Sequence, residues 1–184
     1  MPTVLIPLAA GFEELEAVTI IDLLRRANIT VISASLEQQT VAASRGVRIV
    51  ADTTLDNVIY DDFDMIILPG GLPGSTHLND DVRIHALLKR HYQSNKAIAA
   101  ICAAPIVLAT TGLLNGKRAT CYPGLLNATD WPDITLTDEA VVIDDNILTS
   151  KGPGTAIDFA LAIIEFLTNH STRNEVEMGL VRSA

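Results

Sequence analysis

The sequence predicts an α/β fold, with a doubly wound and mostly parallel sheet that carries helices on both faces. Three observations lead to this prediction. Short runs of apolar residues without charges are typical of strands that are buried on both sides. Amphipathic segments with helical spacing separate these runs, and glycine, proline or asparagine marks most of the junctions. Strands that alternate with helices build parallel sheets, because each helix crosses a face of the sheet to reach the next strand.

In the first half of the chain, strands are predicted at residues 3–9 and 30–35, joined by a helix at residues 13–27. Four apolar side chains of this helix recur at helical spacing and are expected to face the core: Leu15, Val18, Ile21 and Leu24. Polar residues 38–44 are expected to form a turn, and residues 47–51 alternate as a short strand does. Residues 65–68 predict a third buried strand, which ends in the loop PGGLPG at residues 69–74.

The second half continues the alternation with a helix at residues 82–92, a strand at 97–101 and a helix from Pro105 to about residue 111. A strand is predicted at residues 118–122, and a hairpin at 140–143 and 147–150. Helices follow at residues 156–167 and 173–181, and the mixed apolar face of the last one is expected to help form a dimer. The sequence contains no linker, repeat or low-complexity tract, so residues 1–184 are expected to form one domain.

Charge and composition exclude several classes of function. The formal net charge is −9 at pH 7, which disfavours binding to phosphate backbones or anionic membranes. Aromatic residues make up only 4%, so a base-stacking surface is not expected. The two cysteines do not make a disulfide framework, the N-terminus shows no basic leader, and no apolar run is long enough to cross a bilayer. The protein is therefore expected to be cytoplasmic, with reduced thiols.

Cys102 lies at the corner between the apolar strand at residues 97–101 and a helix whose first turn contains Pro105. At such a corner the side chain enters the crevice at the carboxyl ends of the strands, where open α/β sheets bind ligands. The helix dipole favours a thiolate, and the small flanking residues Ala100 and Ala104 fit a nucleophile elbow. The alternative is that Cys102 is an inert core residue, since free cysteines are often buried.

Three glutamates follow the first strand and lie at the same edge of the sheet as Cys102: Glu13, Glu14 and Glu16. One interpretation is that they only match the positive end of the helix dipole. The other is that Glu16, one turn into the helix, faces inward. A buried glutamate is expected to be protonated, and it would then donate a hydrogen bond to a thiolate and lower the pKa of Cys102.

The glycines after the strand at residues 65–68 allow backbone N–H groups to point into the crevice. The amides of Gly71 and Ala103 are the expected oxyanion-binding pair. The alternative is a turn that merely needs glycine. The loop lacks the spacing and the lysine of a phosphate-binding loop, so no nucleotide is expected there.

The remaining residues with reactive or ligating side chains are expected to be structural. Cys121 is expected to pack within the strand at residues 118–122. The four histidines are expected on the surface: His77, His85, His91 and His170. Because they form no cluster with cysteines and carboxylates in the sequence, no metal site is expected.

Four collinear motifs resemble the ThiJ/PfpI superfamily, and in particular its DJ-one-like and bacterial YajL-like branch. The motifs are GFEELEAV at residues 11–18, ILPGG at 67–71, AAICAAP at 99–105 and LTSKGPGTA at 148–156. They span nearly the whole chain. The resemblance implies a flavodoxin-like, three-layer α/β sandwich that forms a homodimer.

The same resemblance implies roles for individual residues. The reactive cysteine of the family falls on Cys102, its buried protonated glutamate on Glu16, and its oxyanion-type amides on Gly71 and Ala103. The residues expected near the substrate are Glu13, Tyr122, Arg26 and Arg45, with the arginines partly reaching the pocket from the partner subunit. No cofactor is implied.

Three departures from the family pattern narrow the expected chemistry. Tyr122 stands where some members have a histidine near the cysteine, so Glu16 is left as the proton-handling side chain. Ala103 stands where the protease branch has a histidine, which weighs against peptidase activity. Ala43 and Val50 stand at the peripheral redox cysteines of the animal proteins, so any redox sensing would rest on Cys102.

Two functions are expected as alternatives. In the first, Cys102 is the nucleophile of a cofactor-free deglycase or glyoxalase that acts on methylglyoxal or glyoxal, either free or as adducts on proteins or nucleotides. In the second, the protein is a non-enzymatic stress protein, with Cys102 as an oxidisable sensor and the dimer as a chaperone. The same residues serve both functions, so the sequence does not separate them.

Overall fold

The computed structural model describes residues 1–182. The strands are β1 Thr3–Leu8, β2 Thr30–Ser35, β3 Thr40–Ala42, β4 Arg48–Val50, β5 Thr53–Thr54, β6 Met65–Leu68, β7 Ala97–Ile101, β8 Arg118–Ala119, β9 Thr135–Leu136, β10 Val141–Asp144 and β11 Ile147–Ser150. The helices are α1 Glu14–Arg26, α2 Leu55–Val58, α3 Gly74–Asp80, α4 Val82–Gln93, α5 Pro105–Thr110, α6 Ala156–Leu167 and α7 His170–Gly179, with a 3₁₀ turn at Pro153–Thr155. The predicted α/β fold is confirmed.

The main sheet has seven strands in the order β10-β11-β7-β6-β1-β2-β5. Neighbouring strands run parallel, except that β10 and β11 form the predicted antiparallel hairpin. The chain places β2 on one side of β1 and β6 on the other, so the order of strands reverses at β1. In open α/β sheets, such a switch point opens a crevice at the carboxyl ends of the strands.

Each face of the sheet carries an apolar core, because successive side chains of a strand point to opposite faces. In β7, Ala97, Ala99 and Ile101 belong to the first core, whereas Ile98 and Ala100 belong to the second. The first core includes side chains of α1, α6 and α7, and the second includes side chains of α2 to α5. The sheet is therefore the middle layer of three.

The apolar face predicted for α1 is partly wrong. Leu15 and Val18 are 51% and 47% exposed. The buried positions of α1 are Glu16, Ala17, Ile20, Leu23 and Leu24. This buried stripe keeps the helical spacing but contains a glutamate, so a search for apolar residues alone does not find it. Consequently, one side of α1 presents apolar surface to solvent in the single chain.

Other departures from the predicted elements concern short segments. Part of the expected turn at residues 38–44 is strand β3, which pairs antiparallel with β4 outside the main sheet. The sequence pattern predicts neither α2 nor α3, because four and seven residues are too few to show helical periodicity. The strand predicted at residues 118–122 is confined to β8, which pairs with β9. Cys121 therefore lies outside a strand, although it does pack against the second core.

The prediction of surface histidines is also wrong in part. His91 is 7% exposed, and its Nε2–H donates to the carbonyl of Ala97 at 3.0 Å. Burial lowers the pKa of His91 to about 4, so its ring is neutral at physiological pH. His85 is half-buried against the carbonyl of Asn79, while His77 and His170 are exposed as predicted.

Residues 1–182 include no helix that is long and apolar enough to span a membrane. Over the same residues, no group of three or more His, Cys, Asp or Glu side chains is arranged to hold a metal ion.

Candidate active site

Cys102 lies directly after β7 and three residues before Pro105, the first residue of α5, as predicted. Its backbone is in the left-handed region, with φ 63°, and the residue is 7% exposed. The N–H of Cys102 donates to the carbonyl of Ser150 at 2.9 Å, and its carbonyl accepts from the N–H of Tyr122 at 2.8 Å. A non-glycine residue in this conformation is strained, and such strain is typical of functional sites.

Glu16, in the first turn of α1, is fully buried beside Cys102. Its Oε2 accepts a hydrogen bond from the N–H of Gly70 at 2.8 Å. Its Oε1 has no hydrogen-bond partner within the described part of the chain. Burial, with a smaller contribution from the charge of Glu13, raises the pKa of Glu16 to about 7. The inward orientation predicted for Glu16 is therefore what the structure has.

The thiol of Cys102 differs from the activated thiolate expected from the helix dipole. Burial, followed by the charge of Glu16 and a hydrogen bond to it, raises the pKa of Cys102 to about 12. The backbone N–H groups of Gly71 and Ala103 act in the opposite direction but do not outweigh these effects. Helix α5 has only six residues, so its dipole is short.

Cys102 and Glu16 therefore titrate as a pair that holds one proton from about pH 7 upward. When the proton is on sulfur, the carboxylate can accept it; when it is on Glu16, the carboxyl can donate a hydrogen bond to the thiolate. The pair can thus exchange a proton without a histidine.

Gly70 and Gly71 bring backbone amides close to this pair because neither position has space for a side chain. A Cβ at Gly70 would lie 2.6 Å from Cys102 Cβ and 2.7 Å from Glu16 Oε2. Gly71 has φ +92°, and a Cβ there would collide with the backbone of Glu13. The glycines are needed for this close approach.

Glu13 and Glu14 are held by the β3–β4 hairpin. The hydroxyl of Ser44 lies 2.9 Å from Glu13 Oε2 and 3.1 Å from Glu14 Oε2, and Glu14 also accepts from the N–H of Arg45 at 3.0 Å. Glu13 is close enough for its charge to act on Glu16, so it borders the site. The sequence does not indicate Ser44 as a site residue, because no local pattern connects the tip of this hairpin to a helix that is about 30 residues away in the chain.

Tyr122 also borders the site. Its N–H binds the carbonyl of Cys102, and its ring carbon Cδ2 is 3.4 Å from where a Cβ at Gly152 would lie. The residue is 49% exposed. The tyrosine therefore contacts Cys102 through its backbone, while its ring lies near Gly152.

The two arginines expected near the substrate are not brought to Cys102 within one chain. Arg26 is at the end of α1, ten residues after Glu16, which is roughly 15 Å along a helix. Its Nε donates to Asp22 at 2.8 Å. Arg45 is exposed, and its backbone rather than its side chain holds Glu14.

An open groove of about 640 Å³ lies at the carboxyl ends of β1 and β2, lined in part by Ala10, Ala42 and His77. Neither Cys102 nor Glu16 lines it. Arg83, at its edge, is already paired with Asp81 and Asp56. We place the chemistry at Cys102 rather than in this groove, because the strained cysteine and the buried carboxyl are there.

Known proteins are similar to this chain in both sequence and fold. Protein dj-1beta of Drosophila melanogaster is 43% identical over 182 residues, which cover 96% of this chain and 95% of that protein. The Caenorhabditis elegans protein named glutathione-independent glyoxalase DJR-1.2 is 38% identical over 164 residues, 89% of this chain and 87% of that protein. DJ-1 homolog B of Arabidopsis thaliana is 44% identical over 167 residues, 89% of this chain. The chain spans 37% of the length of that protein and 46% of the length of a second Arabidopsis thaliana relative, DJ-1 homolog A, which is less than half in both cases.

Solved structures agree with the sequence relatives. The crystal structure of Drosophila melanogaster DJ-1beta has a TM-score of 0.94 at 41% identity, covering 100% of this chain and 99% of that one. Oxidised Toxoplasma gondii DJ-1 has a TM-score of 0.93 at 40% identity and covers 100% of both chains. The profile of the DJ-1/PfpI family matches residues 2–166. With the cysteine corner, the inward glutamate and the two glycines in place, the chain belongs to the DJ-1/PfpI family.

Proposed function

We propose that this protein is a cofactor-free, cysteine-dependent hydrolase of the glyoxalase and deglycase type, acting on methylglyoxal or glyoxal and on their early adducts. The observation that carries the proposal is the pairing of Cys102, strained and almost fully buried, with the fully buried Glu16. A nucleophile and a proton acceptor in contact suit addition of sulfur to an aldehyde followed by proton transfer.

The first step is addition of the thiol to the aldehyde carbon of methylglyoxal. Glu16 takes the thiol proton as the C–S bond forms and then gives it to the oxyanion left on the former aldehyde oxygen, so the product is a neutral hemithioacetal and Glu16 is a carboxylate again. With an adduct on an amine, sulfur displaces the amine from the carbinol carbon, and the same hemithioacetal forms. In this proposal the amide N–H groups of Gly71 and Ala103, which lower the pKa of the Cys102 thiol, bind the developing oxyanion.

The second step moves a proton from the former aldehyde carbon to the neighbouring carbonyl carbon. Glu16 removes the proton from the former aldehyde carbon and returns it to the neighbouring carbon. The hydroxyl proton on the former aldehyde carbon moves to the oxygen of that neighbour, and the hemithioacetal becomes a thioester. Water then hydrolyses the thioester, releasing lactate from methylglyoxal or glycolate from glyoxal and restoring the thiol. The substrate is oxidised at one carbon and reduced at the other, so no external oxidant or reductant is needed.

The name of the Caenorhabditis elegans relative supports the glyoxalase chemistry. The absence of a histidine directly after Cys102, where Ala103 stands, weighs against a peptidase. The two free thiols are consistent with the expected cytoplasmic location.

The pH dependence of turnover tests the proposal. Because the pKa of Glu16 is about 7, kcat/KM for methylglyoxal is expected to rise about tenfold per pH unit below pH 7 and to level off above it. Alkylation of Cys102 by iodoacetamide, followed by peptide mass spectrometry, should instead increase up to the Cys102 pKa of about 12, which separates the titration of the thiol from that of Glu16. Cys102→Ser is the control and is expected to be inactive. Absence of turnover in the wild-type protein at any pH would rule out the enzyme.

A second candidate function is redox sensing combined with chaperone activity. It is favoured by the unpartnered Glu16 Oε1, since a protonated carboxyl there could donate to an oxygen added to the Cys102 sulfur. Two equivalents of peroxide would convert the thiol to a sulfinate and release two waters. The oxidised state of the Toxoplasma gondii relative is consistent with such chemistry. Suppression of aggregation that survives Cys102→Ser, in a protein without turnover, would favour this function over the enzyme.

The assembly that fits this proposal is a homodimer in which a second copy covers the exposed face of α1. Apolar side chains are exposed there and on the neighbouring β3–β4 hairpin: Leu15, Val18, Val47 and Val50. Such a contact could also bring an arginine of one subunit toward the site of the other. Sedimentation velocity is expected to give a dimer, which Val18→Lys should dissociate. Val82→Lys, at a valine that is 79% exposed elsewhere, should leave the dimer intact. A monomeric wild-type protein would refute this assembly.

A further inference from the structure

A closed ring of hydrogen bonds surrounds the backbone of Cys102. Ser150 accepts from the Cys102 N–H at 2.9 Å, and Tyr122 donates its N–H to the Cys102 carbonyl at 2.8 Å. Two residues before Tyr122, the N–H of Thr120 donates to Thr149 Oγ1 at 3.0 Å. Thr149 precedes Ser150 in β11, which closes the ring. The link through Thr149 is the one that uses a side chain.

The segment from Thr120 to Tyr122 needs this link because it has left the sheet. Strand β8 ends at Ala119, so no ladder of backbone hydrogen bonds continues beyond it. Thr120 and Thr149 are both 1% exposed, so water does not compete for the bond between them. The opposite end of the ring is fixed independently, because Ser150 pairs with Ile101 in the parallel ladder of β11 and β7.

We propose that Thr149 is a positioning residue for the nucleophile. Its hydroxyl oxygen holds the segment from Thr120 to Tyr122 in place, and Tyr122 in turn holds the carbonyl of Cys102. A residue at φ 63° persists only when its surroundings fix it on both sides, and the ring fixes both its N–H and its C=O. Without Thr149, the side that carries the carbonyl is expected to relax, which moves the sulfur away from the amides of Gly71 and Ala103.

The test compares Thr149→Val, which keeps the shape but removes the acceptor, with Thr149→Ser, which keeps the hydroxyl. The pH midpoint for alkylation of Cys102 is expected to rise by about half a unit in Thr149→Val, because the amides that favour the thiolate are displaced. Under the proposed function, kcat for methylglyoxal is expected to fall about tenfold with KM within about twofold. Thr149→Ser should restore both values.

Thr111→Val is the matched control, since it removes a buried threonine hydroxyl that bonds only to the backbone of α5. It should lower thermal stability without moving the alkylation midpoint. If Thr149→Val folds poorly, Thr149→Ala serves in the same comparison. A wild-type midpoint in the Thr149 variants, or an equal change in Thr111→Val, would overturn the proposal. Alkylation does not depend on turnover, so it tests Thr149 even if the proposed function fails.

Discussion

A Glu16→Gln variant is expected to be more stable than the wild-type protein at pH 8 while losing most of its activity. Glu16 is fully buried, and burial raises its pKa from 4.5 to about 7. A rise of this size corresponds to roughly 3 kcal/mol of unfolding free energy. The amide of glutamine keeps an acceptor for the N–H of Gly70 but carries no charge at any pH.

The sign of the effect follows from where the proton is bound. Between about pH 4.5 and pH 7 the folded state retains the Glu16 proton, whereas the unfolded state has released it. The contribution of Glu16 to the free energy of unfolding therefore decreases as the pH rises from about 4.5 to about 7. Above pH 7 this contribution stays at its lowest value. We expect the two proteins to unfold alike near pH 4.5, and the variant to be up to about 3 kcal/mol more stable at pH 8. Urea unfolding at both pH values measures the difference.

Glu14→Gln, two residues away, provides a control that is expected to change the free energy of unfolding in the opposite direction. Burial acts to raise the pKa of Glu14, but hydrogen bonds from backbone N–H groups and Ser44 outweigh it, and the pKa is lowered. Removing that carboxylate should decrease stability at neutral pH. If both variants shift stability in the same direction, the special environment of Glu16 is not the cause.

Loss of activity in the same Glu16→Gln protein separates folding from function. Glutamine cannot accept the thiol proton or move a proton between carbons, so kcat is expected to fall by at least about 100-fold. A stable variant that retained turnover would show that Glu16 is not the proton-transfer group. Sites that combine an unfavourable buried charge with an essential role are expected when function is selected at the expense of stability.

Much of the site could be predicted because its residues lie at the ends of strongly patterned elements. The uncharged run before Cys102 indicates a buried strand, and Pro105 indicates the start of a helix, so the corner between them follows. Glu16 lies in the first turn after β1, and the switch point at β1 brings that turn to the same crevice. These inferences need only local pattern and the rules of parallel sheets.

The rest depends on contacts between distant segments. Ser44 bonds to Glu13 across 31 residues, and Thr120 to Thr149 across 29, so no local pattern announces either bond. The direction of the Cys102 pKa also depends on such a contact. The sequence predicts a helix dipole that would lower the pKa of Cys102. In the structure, loss of solvation and the buried carboxyl of Glu16 raise this pKa instead.

Gly70→Ala is expected to abolish the site. The added Cβ would lie within 2.6 Å of Cys102 Cβ, 2.7 Å of Glu16 Oε2 and 2.8 Å of the carbonyl of Ile101. Glu16 belongs to α1, Ile101 to β7, and Cys102 follows β7 directly, so the loop that carries Gly70 must move instead, which breaks the hydrogen bond from Gly70 to Glu16. Overpacking of this kind typically destabilises by about 1–3 kcal/mol. A displacement of about 1 Å at the nucleophile is expected to reduce kcat by at least about 100-fold.

Gly154→Ala is the matched control, because it substitutes a glycine in another of the four motifs where nothing lies within 4 Å of the added Cβ. It should retain wild-type unfolding and wild-type alkylation of Cys102. The absence of a side chain at Gly70 thus leaves room for the Glu16 carboxyl and the Cys102 thiol beside each other. In the Gly70→Ala protein, the pKa values of these two groups should no longer depend on each other. A Gly70→Ala protein whose Cys102 was alkylated with the wild-type pH dependence would show that the pair does not depend on this close approach.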